Sequence, residues 1–98
     1  MANETTAIAT VQIDDYQIRV TNWDFPPGTQ TGSHTHEYDY VVVPTSDGTL
    51  TVETSEGTSE NPLTLGASYQ RSAGTAHNVV NESDQQCSFV EVEFKVTG

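Results

Sequence analysis

Residues 28–48 read GTQTGSHTHEYDYVVVPTSDG. The stretch opens on a glycine, closes on Asp47-Gly48, and holds a His-x-His pair ahead of a tyrosine- and valine-rich run. β-Branched and aromatic residues in a short run, bounded by Gly, Pro, Asp and Ser, are the signature of a strand. The same grammar holds along the chain. No apolar face recurs at three-to-four spacing over ten or more residues, so helix-period patterns are absent. Expected strands are 6–13, 17–25, 32–43, 49–54, 67–71, 77–81 and 86–96. Pro26-Pro27-Gly28 sets one turn and Ser46-Asp47-Gly48 another, with Asp47-Gly48 suited to a tight hairpin. Residues 54–62 (TSEGTSENP) read as a mobile polar loop, and 81–86 (NESDQQ) as a polar connection able to close a hairpin. The ends, 1–4 and 97–98, are expected to be loose. Short strands at this spacing predict an all-β sandwich or barrel, with no internal repeat and no second domain within 1–98.

Composition narrows the partners. The 98 residues are the size of one domain, and so short a chain buries a modest core that oligomerisation or a ligand would reinforce. Fourteen acidic residues against three basic ones give a formal charge of -11. Such a surface repels nucleic-acid phosphate and anionic lipid. Cys87 is the single cysteine, so an intramolecular disulfide is excluded and a reducing cytoplasm is the simplest compartment. The start, MANETTAIAT, lacks the basic and apolar regions of a signal peptide. No stretch nears the roughly 20 apolar residues of a membrane span.

The three histidines carry the chemistry. Residues two apart on a strand share a face, so His34 and His36 present two imidazoles side by side. A third nitrogen from another strand would complete one triangular face of a metal, and His77 is the remaining candidate. Neutral imidazole binds divalent zinc, iron, nickel and copper. Three protein ligands leave coordination positions open, as in a catalytic site and unlike a closed structural one. A His-x-His alone is a weak signal, and the glycine spacing around it strengthens it.

With those residues in view, the chain resembles the cupin family. The first cupin motif runs Gly, five residues, His-x-His, four residues, Glu, six residues, Gly; here stand Gly28, His34, His36, Val41 and Gly48. The second runs Gly, five residues, Pro, one residue, Gly, two residues, His, three residues, Asn; here stand Gly66, Ser72, Gly74, His77 and Asn81. The two motifs, 28–48 and 66–81, span over half the chain. The resemblance implies a double-stranded β-helix, a jelly-roll barrel. It further implies one divalent transition metal (Fe, Zn, Ni or Mn) on His34, His36 and His77. The run HTHEYDYVVVP is similar to short single-domain bacterial cupins, some of them linked to degradation of β-alanine or related small acids. The glycines read as strand corners.

Val41 departs from the pattern, because valine cannot ligate where most metal-binding cupins carry a carboxylate. Strict alternation from the histidines turns Tyr38 and Tyr40 inward and Val41 outward; the family spacing turns Val41 inward through a bulge, and is the expectation adopted. Tyr40 would then edge the pocket. Glu37 and Asp39 read as solvated. Glu91 faces either solvent or, if Val90, Val92 and Phe94 pack on the other side of their strand, the interior. Arg71 either clamps a substrate carboxylate or pairs with one of the many acids, and Arg19 has the same two readings. Trp23, Phe25, Tyr69 and Phe89 belong to the core, a dimer contact or the pocket wall. Asn81 either steadies His77 or shapes a turn. Cys87 reads as a small buried apolar residue.

Three functions follow. The first is metal-dependent turnover of a small anionic metabolite, with iron-type dioxygenation leading and Tyr40, Arg71 and Glu91 as candidate catalytic groups. The second is a non-catalytic metal or small-ligand sensor or accessory protein. The third is a structural barrel with a vestigial site. A homodimer is expected, with strand 7–13 as the pairing edge.

Overall fold

A computed structural model describes residues 6–96, so the expectation for 1–4 and 97–98 lies outside the described residues. Among the described residues the chain forms nine strands and no helix. They are β1 Ile8–Asp14, β2 Ile18–Phe25, β3 His34–Thr35, β4 Asp39–Pro44, β5 Gly48–Thr54, β6 Gly57–Leu63, β7 Tyr69–Arg71, β8 Ala76–Val80 and β9 Cys87–Phe94. Two antiparallel sheets result, in the orders β1-β2-β9-β4-β7 and β3-β8-β5-β6. This is the all-β double-stranded β-helix that the motifs imply. No helix among the described residues is long and apolar enough to cross a membrane.

Several local expectations need correction. The strand expected over 32–43 is two strands in different sheets. Between them His36 turns its backbone to the 72–75 turn: its N–H donates to the Thr75 carbonyl and its carbonyl accepts from Gly74 N–H. Asp47-Gly48 does not close a hairpin, because β4 and β5 lie in different sheets; the same holds for 81–86 between β8 and β9. The polar run 54–62 is not a loop. It turns tightly at Thr54↔Gly57 and continues as β6, paired to β5 from Thr54↔Gly57 to Gly48↔Leu63. Its polarity reflects its place as an exposed sheet edge, where backbone pairing on one side suffices and apolar side chains would invite aggregation.

The core is built from Phe25, Leu50, Cys87, Val42, Val79, Phe89 and Leu63. Phe25 packs tilted against both Trp23 and Phe89, at centroid distances of 6.0 and 5.5 Å. Gly48 has a packing role beyond its turn: a Cβ there would lie 2.6 Å from Cys87 Sγ, with φ at +147°. Beside this core the two sheets enclose a cavity of about 230 Å³. Val42, Leu50, Val52, Val79 and Phe89 form its apolar lining.

Candidate metal centre

The three histidines meet at the wall of that cavity. β3 and β8 pair so that His34 lies directly opposite His77, and His36 follows where the chain leaves β3. His34 Nε2 is 3.2 Å from His36 Nε2, which is 3.2 Å from His77 Nε2. Donors bound to one ion at about 2.1 Å each sit about 3.0–3.4 Å apart in octahedral or tetrahedral geometry, so this spacing suits a shared divalent cation. The ring tautomers agree. His34 Nδ1 lies 2.8 Å from the Gly32 carbonyl, to which it donates, leaving the Nε2 lone pair facing the other two rings. Burial, then the neighbouring His34, pushes the pKa of both His36 and His77 down to about 4. Both are therefore neutral ligands at physiological pH, and protons do not compete for their lone pairs there.

Around the rings, the sheet register decides what else reaches the site. Tyr40, not Val41, is the β4 side chain on the inner face. Tyr40 is buried, lines the cavity, and stacks on the His36 ring at 3.9 Å. Val41 sits opposite Val92 and is half-buried on the outer face, away from the cavity. The inward Val41 is thus overturned, because Tyr40 and Val42 keep the plain alternation of a strand and no bulge interrupts the β4–β9 register. Tyr38 does not join the pocket lining; it lies half-buried with Arg19 over its ring. The Tyr40 hydroxyl is buried with no hydrogen-bond partner among the described residues. Burial, and next to it Glu91, raises its pKa to about 12, so it stays a protonated donor.

Glu91 also faces inward. It is 7% exposed and lines the cavity. Trp23 Nε1 donates to its Oε1 at 3.3 Å, and its Oε2 is 3.9 Å from His36 Nε2. Burial above all, and then Glu93, raises its pKa to about 7. Glu93 is buried too, but Arg19 grips both of its oxygens at 2.7 and 3.2 Å, so Arg19 is a structural ion-pair partner. Arg71 is exposed at the cavity rim, packed over Tyr69 at 4.4 Å, and makes no ion pair among the described residues. Its guanidinium remains available to an anion.

The remaining candidates divide. Trp23, Tyr69 and Phe89 line the cavity, whereas Phe25 is wholly core. Asn81 does not touch His77: its amide donates to the Phe25 and Gln85 carbonyls, and its oxygen accepts from Ser83. Asp39 is not freely solvated, since it accepts from Ala73 N–H at 2.8 Å and so fixes the turn before β8, while Glu37 is exposed. Cys87 is buried and its thiol pKa is pushed up by that burial, as suits a packing residue. Asn78 was not foreseen. Its oxygen accepts from Gly32 N–H at 2.9 Å and its amide donates to Gln30 and Glu53, which holds the loop that orients His34. Nothing in the sequence marks it except its place beside His77.

Comparison with known proteins gives the family. The model for the cupin domain matches residues 21–93. The chain is 50% identical over 95 residues to the β-alanine degradation protein BauB of Pseudomonas aeruginosa, covering 97% of this chain and all of that one. A crystal structure of a cupin domain from Bordetella pertussis Tohama I superposes with a TM-score of 0.90 at 53% identity, over 93% of this chain and 95% of that one. A Klebsiella pneumoniae protein with a double-stranded β-helix domain shares the fold at a TM-score of 0.77 and 19% identity, over 94% and 79%. Barrel topology, motif spacing and sequence identity coincide: this chain belongs to the cupin domain family.

Proposed function

We propose that this protein binds one divalent transition metal (Fe, Zn, Ni or Mn) through His34, His36 and His77 and turns over a small anionic metabolite there, with iron-type dioxygenation as the reaction. The observation that carries this reading is the convergence of three Nε2 atoms, 3.2 Å from His34 to His36 and 3.2 Å from His36 to His77, on a cavity with an arginine at its rim that makes no ion pair among the described residues. The bound ion would polarise a coordinated ligand and, as iron, activate dioxygen. The chain's own residues do the rest. Arg71 takes the ligand's carboxylate as a bidentate pair. The Tyr40 hydroxyl, which finds no partner among the described residues, donates to an oxygen of the ligand. Val42, Leu50, Val52, Val79 and Phe89 keep water from the reacting end. The name of the Pseudomonas relative makes β-alanine and related short acids the first compounds to try.

The test is aerobic incubation of the iron-loaded protein with short amino acids, thiols and β-diketones, following oxygen consumption. Metal-dependent uptake with one class, lost in Arg71→Ala, supports the reading. Tight ligand binding with no uptake would assign the protein to the non-catalytic alternative.

We also read the protein as a cytoplasmic homodimer. Ile13, Val20, Val92 and Val41 lie in one row across the outer face of the five-stranded sheet. Ile13 is 46% exposed, and β1 forms the outermost strand. A second copy would cover this row, and the lone buried thiol suits a reducing compartment.

A further inference from the structure

Resting on the three-histidine reading, we propose that Glu91 is a fourth protein ligand of the same ion, its carboxylate arriving from β9 and not from β4.

The first ground is charge. A buried carboxylate is costly unless a cation or a full set of donors compensates it. The chain has three basic residues. Arg19 is committed to Glu93, Lys95 to Asp14, and Arg71 lies over Tyr69 at the rim. Glu91 therefore has no basic side chain beside it, and its one hydrogen bond among the described residues is the long contact from Trp23 to Oε1. No hydrogen-bond donor among the described residues is directed at Oε2, which lies 3.9 Å from His36 Nε2. A dication held by those nitrogens is the missing countercharge.

Geometry is the second ground. The indole of Trp23 fixes Oε1 and leaves Oε2 on the histidine side, 3.9 Å from His36 Nε2. Two donors on one ion sit about 3.0–3.4 Å apart, so Oε2 has to close on His36 Nε2 by roughly half an ångström to one ångström and swing further toward His34 and His77, which share no 4.8 Å cluster with Glu91. Rotation about the glutamate's side-chain torsions, the terminal one being soft, is the movement that ligation requires. His36, Glu91 and Glu93 form a second cluster whose ligand atoms all lie within 4.8 Å of one another, sharing His36 with the first. Since Arg19 occupies Glu93, Glu91 is the free carboxylate of that cluster.

The third ground is what β4 lacks. Its inner face brings the Tyr40 ring flat against His36, and Val41 faces away, so no carboxylate reaches the rings from that strand. On β9, Glu91 pairs with Val42, the next inward residue of β4. The carboxylate thus comes from one strand over and two residues along. A carboxylate lowers the net charge of the loaded site from +2 to +1, which still favours an anionic ligand held by Arg71.

Cobalt(II) serves as the probe, read by titration calorimetry and by its visible absorption, which reports coordination number and ligand type. Glu91→Gln should weaken cobalt binding about 100-fold or more, beyond the 10–100-fold typical of disturbing an outer group, and should change the band intensity. Glu91→Asp, which keeps the charge but shortens the reach, should shift the spectrum too. A spectrum unchanged in both variants would overturn the ligand assignment, whatever the affinity. His36→Ala separates this from the underlying reading: lost binding in His36→Ala with an unchanged Glu91→Gln spectrum refutes Glu91 alone, whereas full binding in His36→Ala refutes the three-histidine site itself.

Discussion

Removing the charge of Glu91 should stabilise the metal-free protein, and by an amount that depends on pH. The perturbation is Glu91→Gln, which keeps the shape and an oxygen for the Trp23 indole. In the folded protein the Glu91 carboxyl titrates near 7, against an ordinary 4.5, chiefly because it is buried. An acid with a raised folded pKa binds more protons folded than unfolded. Its contribution to stability is complete below 4.5 and is lost as pH rises through about 7. At 1.36 kcal/mol per pH unit, that gap amounts to about 3 kcal/mol of strain in the ionised form. The variant escapes it. In chelator, urea unfolding should show the variant more stable than the parent by about 3 kcal/mol at pH 8 and by about 1 kcal/mol or less at pH 5. His36 and His77 act oppositely: their depressed pKa values favour folding above 6.5, and that contribution is lost as pH falls toward about 4. Both are retained in the variant, so the difference between the two proteins reports on Glu91. Saturating cobalt should reverse the order, because the parent gains more from the ion. Equal stability differences at pH 5 and 8, or a variant less stable than its parent at pH 8 without metal, would refute the reasoning.

Three further outcomes are expected. Tyr40→Phe removes a buried hydroxyl without a partner, so thermal stability should hold or rise by up to about 1 kcal/mol while ligand affinity, measured by calorimetry, falls. Gly48→Ala places a methyl against Cys87 Sγ and should cost about 1–3 kcal/mol in denaturant unfolding, partly recovered by adding Cys87→Ala. Val92→Lys, at the centre of the outer apolar row, should shift sedimentation to the monomer while leaving metal binding intact.

The histidines were readable from sequence because motif spacing encodes strand lengths, and strand lengths decide which side chains meet. The same spacing misplaced Val41. The motif counts five positions from His36 to Val41, and an odd offset exchanges the two faces of an alternating chain, so it would need a bulge that is not there. Plain alternation from His36 to Tyr40 and Val42 gives the observed inner face. The strand at 57–63 escaped notice for a different reason. Polar side chains at an exposed edge leave no hydrophobic period to read, and only the pairing with β5 reveals it. The support from Asn78 to the His34 loop is three-dimensional, joining residues 46 apart in sequence, and no local pattern encodes it.

β9 departs from the ordinary pattern of a barrel strand. Its residues alternate Cys87, Phe89, Glu91 and Glu93 inward with Ser88, Val90, Val92 and Phe94 outward. Half of the inward face is charged, while most of the outward face is apolar. A strand selected only to stabilise a barrel would be reversed over its last four residues, with Val92 and Phe94 inside and the glutamates in water. The reversal carries two costs, buried carboxylates and uncovered valines, and each needs its own remedy. Arg19 answers for Glu93. Glu91 is left to the histidine cluster, and the valines to whatever covers the outer sheet. An ion inside and a second copy outside would resolve both, which makes metal loading and dimerisation separable contributions to one strand. Cobalt should therefore raise the melting temperature of Val92→Lys by as much as it raises that of the parent. A clearly smaller gain would mean that the two faces of β9 are coupled and that the ion site depends on the covered sheet.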